Sequence, residues 1–472
     1  MKHLMLLTCA MCALVSGVWA ETTVGTADQK SLDMVIYNND RALVRDTRAV
    51  SMGAGQNDIA FADISDQIIP ASVVLNGRDI TFLENNFNFD VLSYESLLHK
   101  SVGNTVTAQL MNPKTGAWEM TSAELLAVNG MSPILKINDK VDASYPGQIV
   151  FNTIPQNLRV RPTLVMSVAT PKAGKRDLTL GYLTRGLSWN ANYVAQLAPD
   201  NQTMSLTGWV SLTNASQTAF RNVKLQVVAG DLHLVEPVMP MMYKTVRMEM
   251  GNFADTMMAA DMSEEGVGDY HLYTLPRKTD ILPNQTKQVS LLSATGVKVK
   301  KTYTFENQLT PPEQAENVKP TISLSVVNEK KNHLGIALPR GIVRLYQADK
   351  QGEFVFVGED NIGHTGNLEQ VRLNMGQAFD ISATVKRIKH DQRKQGNTRI
   401  TDDTYHITIK NGTKETVSVQ IKETFGVPGV SAWKITSETK QSERKKNVSA
   451  RWTLSVPAEG EADLTYSVQI VK

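Results

Sequence analysis

The feature that most constrains the fold of this chain is an alternation of apolar and polar residues with a period of two. It recurs along most of the sequence, for example over residues 178–182, 297–305 and 405–409. Successive side chains of a strand point to opposite faces, so this pattern predicts strands with one buried and one solvated face. Long helical patterns are missing, and the best helical candidate is residues 93–100. The sequence predicts an all-β fold of tandem antiparallel, immunoglobulin-like β-sandwiches with little helix.

Turn residues predict where these strands reverse direction. Asn411-Gly412 is a preferred hairpin dipeptide because both residues tolerate positive φ, and it predicts a hairpin with the strand that starts at Val417. The turn at residues 457–460 predicts a second hairpin between the two last strands. Further turns are expected at residues 113–116 and 129–130.

The first twenty residues have the pattern of a signal peptide. Lys2 precedes an apolar run over residues 4–15, and small residues lead to an expected cleavage after Ala20. Both cysteines, Cys9 and Cys12, lie in this run, so the remaining chain has no thiol. We expect an exported protein, periplasmic or otherwise secreted. No later apolar run is long enough for a transmembrane anchor.

Breaks in the alternation suggest the domain organisation. The predicted parts are a signal peptide (1–20), an N-terminal β-sandwich-like unit (21–100), a small β unit (101–160), a central β domain (161–395) with a methionine-rich insertion (236–269), and a C-terminal β-sandwich (396–472).

The charge balance argues against an anionic partner. The chain has 49 Lys and Arg against 47 Asp and Glu, a net charge of +2. This balance gives no electrostatic reason to bind nucleic acid. The basic run at residues 386–394 is interpreted as a solvated hairpin arm.

One candidate catalytic or metal site follows a predicted strand. Asp231, His233 and Glu236 combine carboxylates with an imidazole, groups that bind a metal ion or share a proton. His271 is a further candidate across the insertion. The alternative interpretation is an ordinary polar strand end, and the sequence leaves it open.

The insertion is rich in methionine. It contains eight of the nineteen methionines of the chain: Met239, Met241, Met242, Met248, Met250, Met257, Met258 and Met262. Thioethers are soft ligands that suit Cu(I), so copper handling is one hypothesis. The competing hypothesis is an adaptable contact surface, because methionine side chains are flexible and polarizable. No cofactor is predicted.

A set of motifs is spread over the second part of the chain: Gly186–Tyr193, Gly208–Asn214, Val227–Asp231, Tyr270–Pro276 and Leu338–Gly341. These motifs resemble a domain of unknown function that is found in exported bacterial proteins and shared with the mucoidy-inhibitor-type proteins. The resemblance covers residues 161–472, and the chain lacks the long coiled coil of the mucoidy-inhibitor branch. The resemblance implies a β-rich exported protein and brings no catalytic residues.

The residues within these motifs favour a structural role. Trp189, Tyr193 and Trp209 are expected to pack between sheets. The segment 186–190 departs from a GxSxG nucleophile elbow, because Asn190 replaces the second glycine. The sequence therefore predicts a non-enzymatic binding or assembly module of the bacterial cell envelope, with another envelope protein as partner and an unknown oligomeric state. The alternative is an envelope enzyme or a copper-handling protein.

Overall fold

The computed structural model describes residues 21–88, 92–155, 158–230, 233, 262–308, 313–349, 351–445 and 448–472. Contacts divide the chain into two units, each built from separate stretches of sequence. The first comprises the described residues up to Ser188 with Thr213–Gln226 and Arg277–Thr286, and the second comprises Trp189–Leu212, the described part of Val227–Pro276, and Lys287–Lys472.

Strands dominate the described residues and are numbered in chain order. Those before residue 185 are β1 (Thr22–Val24), β2 (Gln29–Tyr37), β3 (Arg41–Met52), β4 (Gly55–Ala62), β5 (Val74–Gly77), β6 (Thr81–Asn88), β7 (Thr105–Met111), β8 (Trp118–Asn129), β9 (Ser132–Ile137), β10 (Lys140–Asp142), β11 (Gln148–Val150), β12 (Thr163–Thr170) and β13 (Gly174–Thr184). The next group is β14 (Leu187–Leu197), β15 (Thr203–Asn214), β16 (Phe220–Ala229), β17 (Ser263–Val267), β18 (Tyr270–Thr274), β19 (Thr279–Ile281) and β20 (Gln285–Lys298).

The remaining strands belong to the last third of the chain. They are β21 (Lys300–Gln308), β22 (Gln314–Val318), β23 (Thr321–Val327), β24 (Gly341–Ala348), β25 (Phe354–Ile362), β26 (Gln370–Gln377), β27 (Ile381–Gln395), β28 (Thr398–Asn411), β29 (Val417–Thr424), β30 (Ala432–Glu438), β31 (Glu443–Lys445), β32 (Ser449–Val456) and β33 (Gly460–Val471). The described helices are α1 (Tyr94–Lys100) and the short 3₁₀ turns Thr26–Asp28, Pro70–Ser72 and Lys330–Asn332.

Two sheets form a sandwich in the first unit. One has the strand order β1-β4-β12-β6, and the other contains the run β2-β3-β13-β5. β1 pairs with β4 in parallel, and the other pairs are antiparallel. Alternate side chains of both sheets are removed from solvent and form one core. Fully buried members of this core are Met34, Val44, Phe61, Met166 and Leu180.

A small antiparallel sheet is inserted in the chain between β6 and β12. Helix α1 precedes the strands of this sheet, and Ser93 caps its N-terminus. The Ser93 Oγ accepts a hydrogen bond from the Ser96 backbone N–H at 3.1 Å. The strand order is β10-β9-β8-β7-β11. The Leu92 N–H donates to the Arg159 carbonyl at 2.8 Å, so the two ends of this inserted sheet lie side by side. Its core contains Leu98, Val106, Ala108, Ala123, Leu125, Leu135 and Ile149.

The second unit contains a five-stranded sheet in the order β20-β15-β14-β24-β25. β14 and β24 pair in parallel, with Ala191 opposite Gly341. The large side chains of Trp189 and Tyr193 on β14 are buried. The Trp189 indole N–H donates to the Val228 carbonyl at 3.2 Å, which satisfies its polar atom within the core.

A larger sandwich follows in the second unit. Its sheets have the orders β26-β23-β21-β29-β32-β31 and β22-β27-β28-β33-β30. β21 and β29 pair in parallel. Stacked aromatic rings fill the space between the sheets, with the ring centroids of Trp452 and Tyr466 4.5 Å apart. This aromatic packing supplies much of the apolar area that holds the two sheets together.

Both hairpins predicted near the C-terminus are wrong. β28 and β29, on either side of Asn411-Gly412, lie in different sheets, and so do β32 and β33 on either side of residues 457–460. The buried Asn411 amide explains the first crossing, because it donates to the carbonyls of Glu415 and Pro457, each at 2.8 Å. A side chain that hydrogen-bonds the main chain in this way stabilises a connection that arches from one sheet to the other. Neither Asn411 nor Gly412 has the positive φ of a tight hairpin.

Several other predictions are confirmed. The described fold is all-β in separate sheets, as predicted, and α1 lies within the expected segment 93–100. The turns at residues 113–116 and 129–130 connect β7 to β8 and β8 to β9.

Trp209 differs from expectation, since its side chain is only half-buried. The described part of the chain contains no helix with the length and apolarity to cross a membrane.

Candidate functional site

The structure leaves most of the sequence-predicted site untested. Asp231, Glu236 and the candidate copper ligands lie outside the described residues, these ligands being Met239, Met241, Met242, Met248 and Met250. His233 is exposed and outside any strand, because β16 ends at Ala229. Met262 is described and is buried. The Asp231, His233 and Glu236 site therefore stays a prediction.

His271 takes part in a different arrangement. Its Nδ1 lies 2.7 Å from Oε1 of Glu264 on the paired strand β17. The second oxygen, Oε2, accepts a hydrogen bond from the Ala337 backbone N–H at 2.9 Å. Sequence reasoning did not single out Glu264, although an acidic residue shortly before His271 was a usable signal. The carboxylate is engaged by an imidazole and a backbone amide.

Two buried tyrosines hold the same stretch of main chain. The Tyr273 hydroxyl donates to the Ala337 carbonyl, and the Tyr193 hydroxyl donates to the Pro339 carbonyl, both at 2.8 Å. Burial raises the pKa of Tyr193 and of Tyr273, so both hydroxyls keep the protons that they donate. With Glu264 they fix the segment that leads into β24. These three side chains therefore hold the main chain of residues 337–339 in place.

Gly341 ends this segment at a point where backbones approach closely. A Cβ atom on Gly341 would lie 2.2 Å from the Ala191 carbonyl oxygen. Only glycine fits such an approach without a shift of the main chain. The motif Leu338–Gly341 is therefore explained by packing of β24 on β14.

A buried ion pair lies in the core of the first unit. Asp46 and Arg48 on β3 are 3% and 0% exposed. The Arg48 Nε and Nη2 groups donate to Oδ2 of Asp46 at 3.0 and 2.7 Å, and Gln29 Nε2 donates to Oδ1 at 2.9 Å. Buried charges are tolerated when they are paired and hydrogen-bonded in this way.

An open cleft of about 730 Å³ lies against Asp46. Its volume falls within the range of about 300–1,000 Å³ that is usual for small-molecule sites. Polar and apolar residues of the first unit share its lining, which comprises Thr26, Gln29, Leu32, Asp46, Asp63, Ile64, Arg161, Pro162, Gln217, Thr218, Ala219, Phe220, Arg221 and Asn222. Sequence reasoning missed this cleft because its lining comes from five separate stretches of the chain.

The inserted sheet exposes large apolar side chains at one corner. Met111, Trp118 and Met120 are 48%, 45% and 69% exposed. Met111 and Trp118 are register partners on β7 and β8, and Met120 follows two residues after Trp118, so all three share a face. The opposite face of β7 carries the core residues Val106 and Ala108. We call Met111, Trp118 and Met120 the apolar corner.

Metal-ligand geometry is missing from the part of the chain that the structure describes. Within it, no three His, Cys, Asp or Glu side chains gather so that they could hold a metal ion.

Comparison with known proteins places the chain in a family. The domain of unknown function DUF4139 matches residues 178–471. A search of curated proteins found no match. The matched region includes the Trp189 and Tyr193 strand, the Glu264 hairpin and the larger sandwich described above. The chain belongs to the DUF4139 family.

Proposed function

We propose that the protein is an exported, periplasmic component of the bacterial cell envelope that acts as a non-enzymatic binding or assembly module. The leader pattern supports export, since its expected cleavage site lies one residue before Glu21. The Glu21 carboxylate accepts two hydrogen bonds from the Arg159 guanidinium, both at 2.7 Å, and β1 starts at the next residue. Cleavage after Ala20 would therefore leave a chain whose first residue already has a place in the fold.

The apolar corner carries the proposal of binding. Exposed single apolar residues are normal on protein surfaces, but contiguous ones indicate an interaction site. Here an aromatic ring and two flexible thioether side chains share one corner of a sheet. Tryptophan and methionine are enriched at the centres of protein interfaces, where they bury large area. We therefore place the contact with another envelope protein at this corner.

Site-specific cross-linking in cells tests this assignment. A photo-crosslinking amino acid is placed at position 120 of a tagged copy, and adducts are purified from the envelope fraction and identified by mass spectrometry. Position 131 is the matched control, since Met131 is 54% exposed and lies in the turn between β8 and β9 of the same sheet. We expect one reproducible, near-stoichiometric partner at position 120 and none at position 131.

Substitution of residues in the apolar corner gives a second test of the binding assignment. With the cross-linker kept at position 120, Met111→Ser with Trp118→Ser should abolish that adduct, and the free energy of unfolding should stay within about 0.5 kcal/mol because both side chains are exposed. Equal adducts at both positions, or none at position 120, would contradict the assignment and favour the enzyme or copper-handling alternative.

The kinship with the mucoidy-inhibitor-type proteins also stays a prediction, carried by the motifs Gly186–Tyr193 and Leu338–Gly341.

A further inference from the structure

The cleft of the first unit is bordered by the Asp46 carboxylate, which is 3% exposed. A carboxylate offers about four acceptor positions, and among the described residues Gln29 and Arg48 occupy three of those on Asp46. The Arg48 pair fixes the orientation of the carboxylate, so the acceptor position that the described residues leave open is fixed as well. A preorganised acceptor at the base of a cleft favours a ligand that brings a hydroxyl or amide donor.

The charges of the lining cancel in pairs. Asp63 binds Arg161 at 2.5 Å, and Arg221 lies 3.6 Å from Asp280 beside the cleft. Asp46 is neutralised by Arg48 beneath it. A strongly charged ligand therefore gains little net attraction, and it would also compete with an existing pair for either guanidinium. The electrostatics of the lining favour a neutral ligand.

The exposed polar groups on the walls are both donors and acceptors. Thr26, Gln217 and Asn222 are exposed and contribute a hydroxyl and two amides. Each of these groups can donate and accept at once, which matches a ligand whose own groups do the same. Pro162, which is half-buried, and Ala219, which is exposed, also border the cleft and suit the apolar C–H faces of such a ligand.

We propose that this cleft binds a neutral saccharide. Saccharide hydroxyls donate and accept together, carry no charge, and leave apolar C–H faces between them. The cleft volume of about 730 Å³ accommodates a short oligosaccharide. This site is independent of the apolar corner, since it lies on the sandwich and not on the inserted sheet.

Ligand-observed NMR on the full mature chain, residues 21–472, tests the proposal. The probes are chitotriose, which carries N-acetyl groups, maltotriose, which does not, and trialanine as a peptide of similar size. We expect saturation transfer to at least one of the saccharides and none to trialanine. Preference for chitotriose would indicate an N-acetylated glycan source, and preference for maltotriose would indicate a plain glucan source.

The double variant Gln217→Ala with Asn222→Gly locates the site. Both side chains are exposed, and glycine tolerates the positive φ of residue 222, so the fold should be kept. Loss of two hydrogen bonds should weaken binding by about tenfold or more. The matched control is Gln148→Ala, at an exposed side chain of β11, which should leave affinity unchanged. No transfer to either saccharide, transfer to trialanine alone, or unchanged affinity in the double variant would overturn the proposal.

Discussion

Arg48 joins two sheets, because its guanidinium hydrogen-bonds Asp46 on its own strand and main-chain carbonyls of the other sheet. Its Nη1 group donates to the carbonyl oxygens of Val24 and Ala62, at 2.8 and 2.6 Å, while Nε and Nη2 hold Asp46. The guanidinium also lies 5.7 Å from the ring centroid of Phe61. The pair thus ties β3 to the ends of β1 and β4, and its Asp46 member borders the cleft.

Removing one partner of this pair should destabilise the first unit strongly. Arg48→Met leaves the Asp46 charge and two carbonyls buried without their donor, so the free energy of unfolding should fall by about 3–5 kcal/mol. Urea denaturation followed by circular dichroism measures the change. Lys30→Met is the control, because Lys30 and Asp177 form an exposed pair at 3.9 Å that contributes at most about 1 kcal/mol. Similar losses in both variants would show that burial of the Arg48 pair is not what matters.

Gly341 should not tolerate even a methyl group. Gly341→Ala forces a Cβ against the Ala191 carbonyl oxygen, and we expect a loss of about 3 kcal/mol in unfolding free energy from overpacking. Gly363→Ala serves as the matched control, since no atom lies within 4 Å of its added Cβ. That control should change stability by less than about 1 kcal/mol. A Gly341→Ala protein as stable as the control would refute the packing explanation of the motif.

Alkaline pH should destabilise the larger sandwich. Burial, with the nearby charge of Asp403, raises the pKa of Tyr405 to about 12 from its ordinary value of 10.0. Between these values the unfolded chain releases a proton that the folded chain keeps, so folding stability is complete below pH 10 and falls as the pH rises towards 12. Urea midpoints measured across this interval test the trend.

The tyrosine variants identify the source of that trend. Tyr405→Phe should flatten the decline above pH 10, because it removes one raised pKa. The pKa of Tyr466 is also raised by burial, so some slope should remain. Tyr94→Phe, at an exposed ring, should leave the slope as it is. An unchanged slope in Tyr405→Phe would assign the alkaline transition to other groups.

The inserted sheet should be removable. Leu92 and Arg159 are hydrogen-bonded to each other, so a short turn can replace residues 93–158 without stretching the chain. We expect the shortened protein to unfold cooperatively with a urea midpoint near that of the full chain. Deletion of β12 should abolish folding, since this strand pairs with both β4 and β6. A shortened protein that aggregates would show that the sandwich depends on the insert.

Local patterns predicted the strands but not their partners. Periodicity reports which face of a strand is buried, and this was sufficient for Leu178, Leu180 and Tyr182 on β13. Strand partners are set by contacts between distant residues. The Asn411-Gly412 dipeptide indicated a hairpin, whereas the Asn411 side chain instead bonds the main chain and sends it to the other sheet. The domain boundaries stay predictions.

The cleft was missed for a related reason. Asp46 and Arg48 alternate with Val44 and Val50 along β3, so the period-two pattern places all four on one face. Two charged residues between buried valines are a signal of a paired, buried charge. The rest of the site could not be predicted, because residues near 26, 63, 161 and 217 meet only after the sheets have packed.

The parallel strand pairs have a consequence for the order of events in biogenesis. β14 can pair with β24, and β21 with β29, only after the many strands between them have been synthesised. Until then each waiting strand presents open backbone amides and carbonyls to other chains. Contacts so distant in sequence also form slowly. If the chain crosses a membrane from its N-terminus, folding of the second unit cannot keep pace with emergence, and a chaperone that covers strand edges would raise the yield.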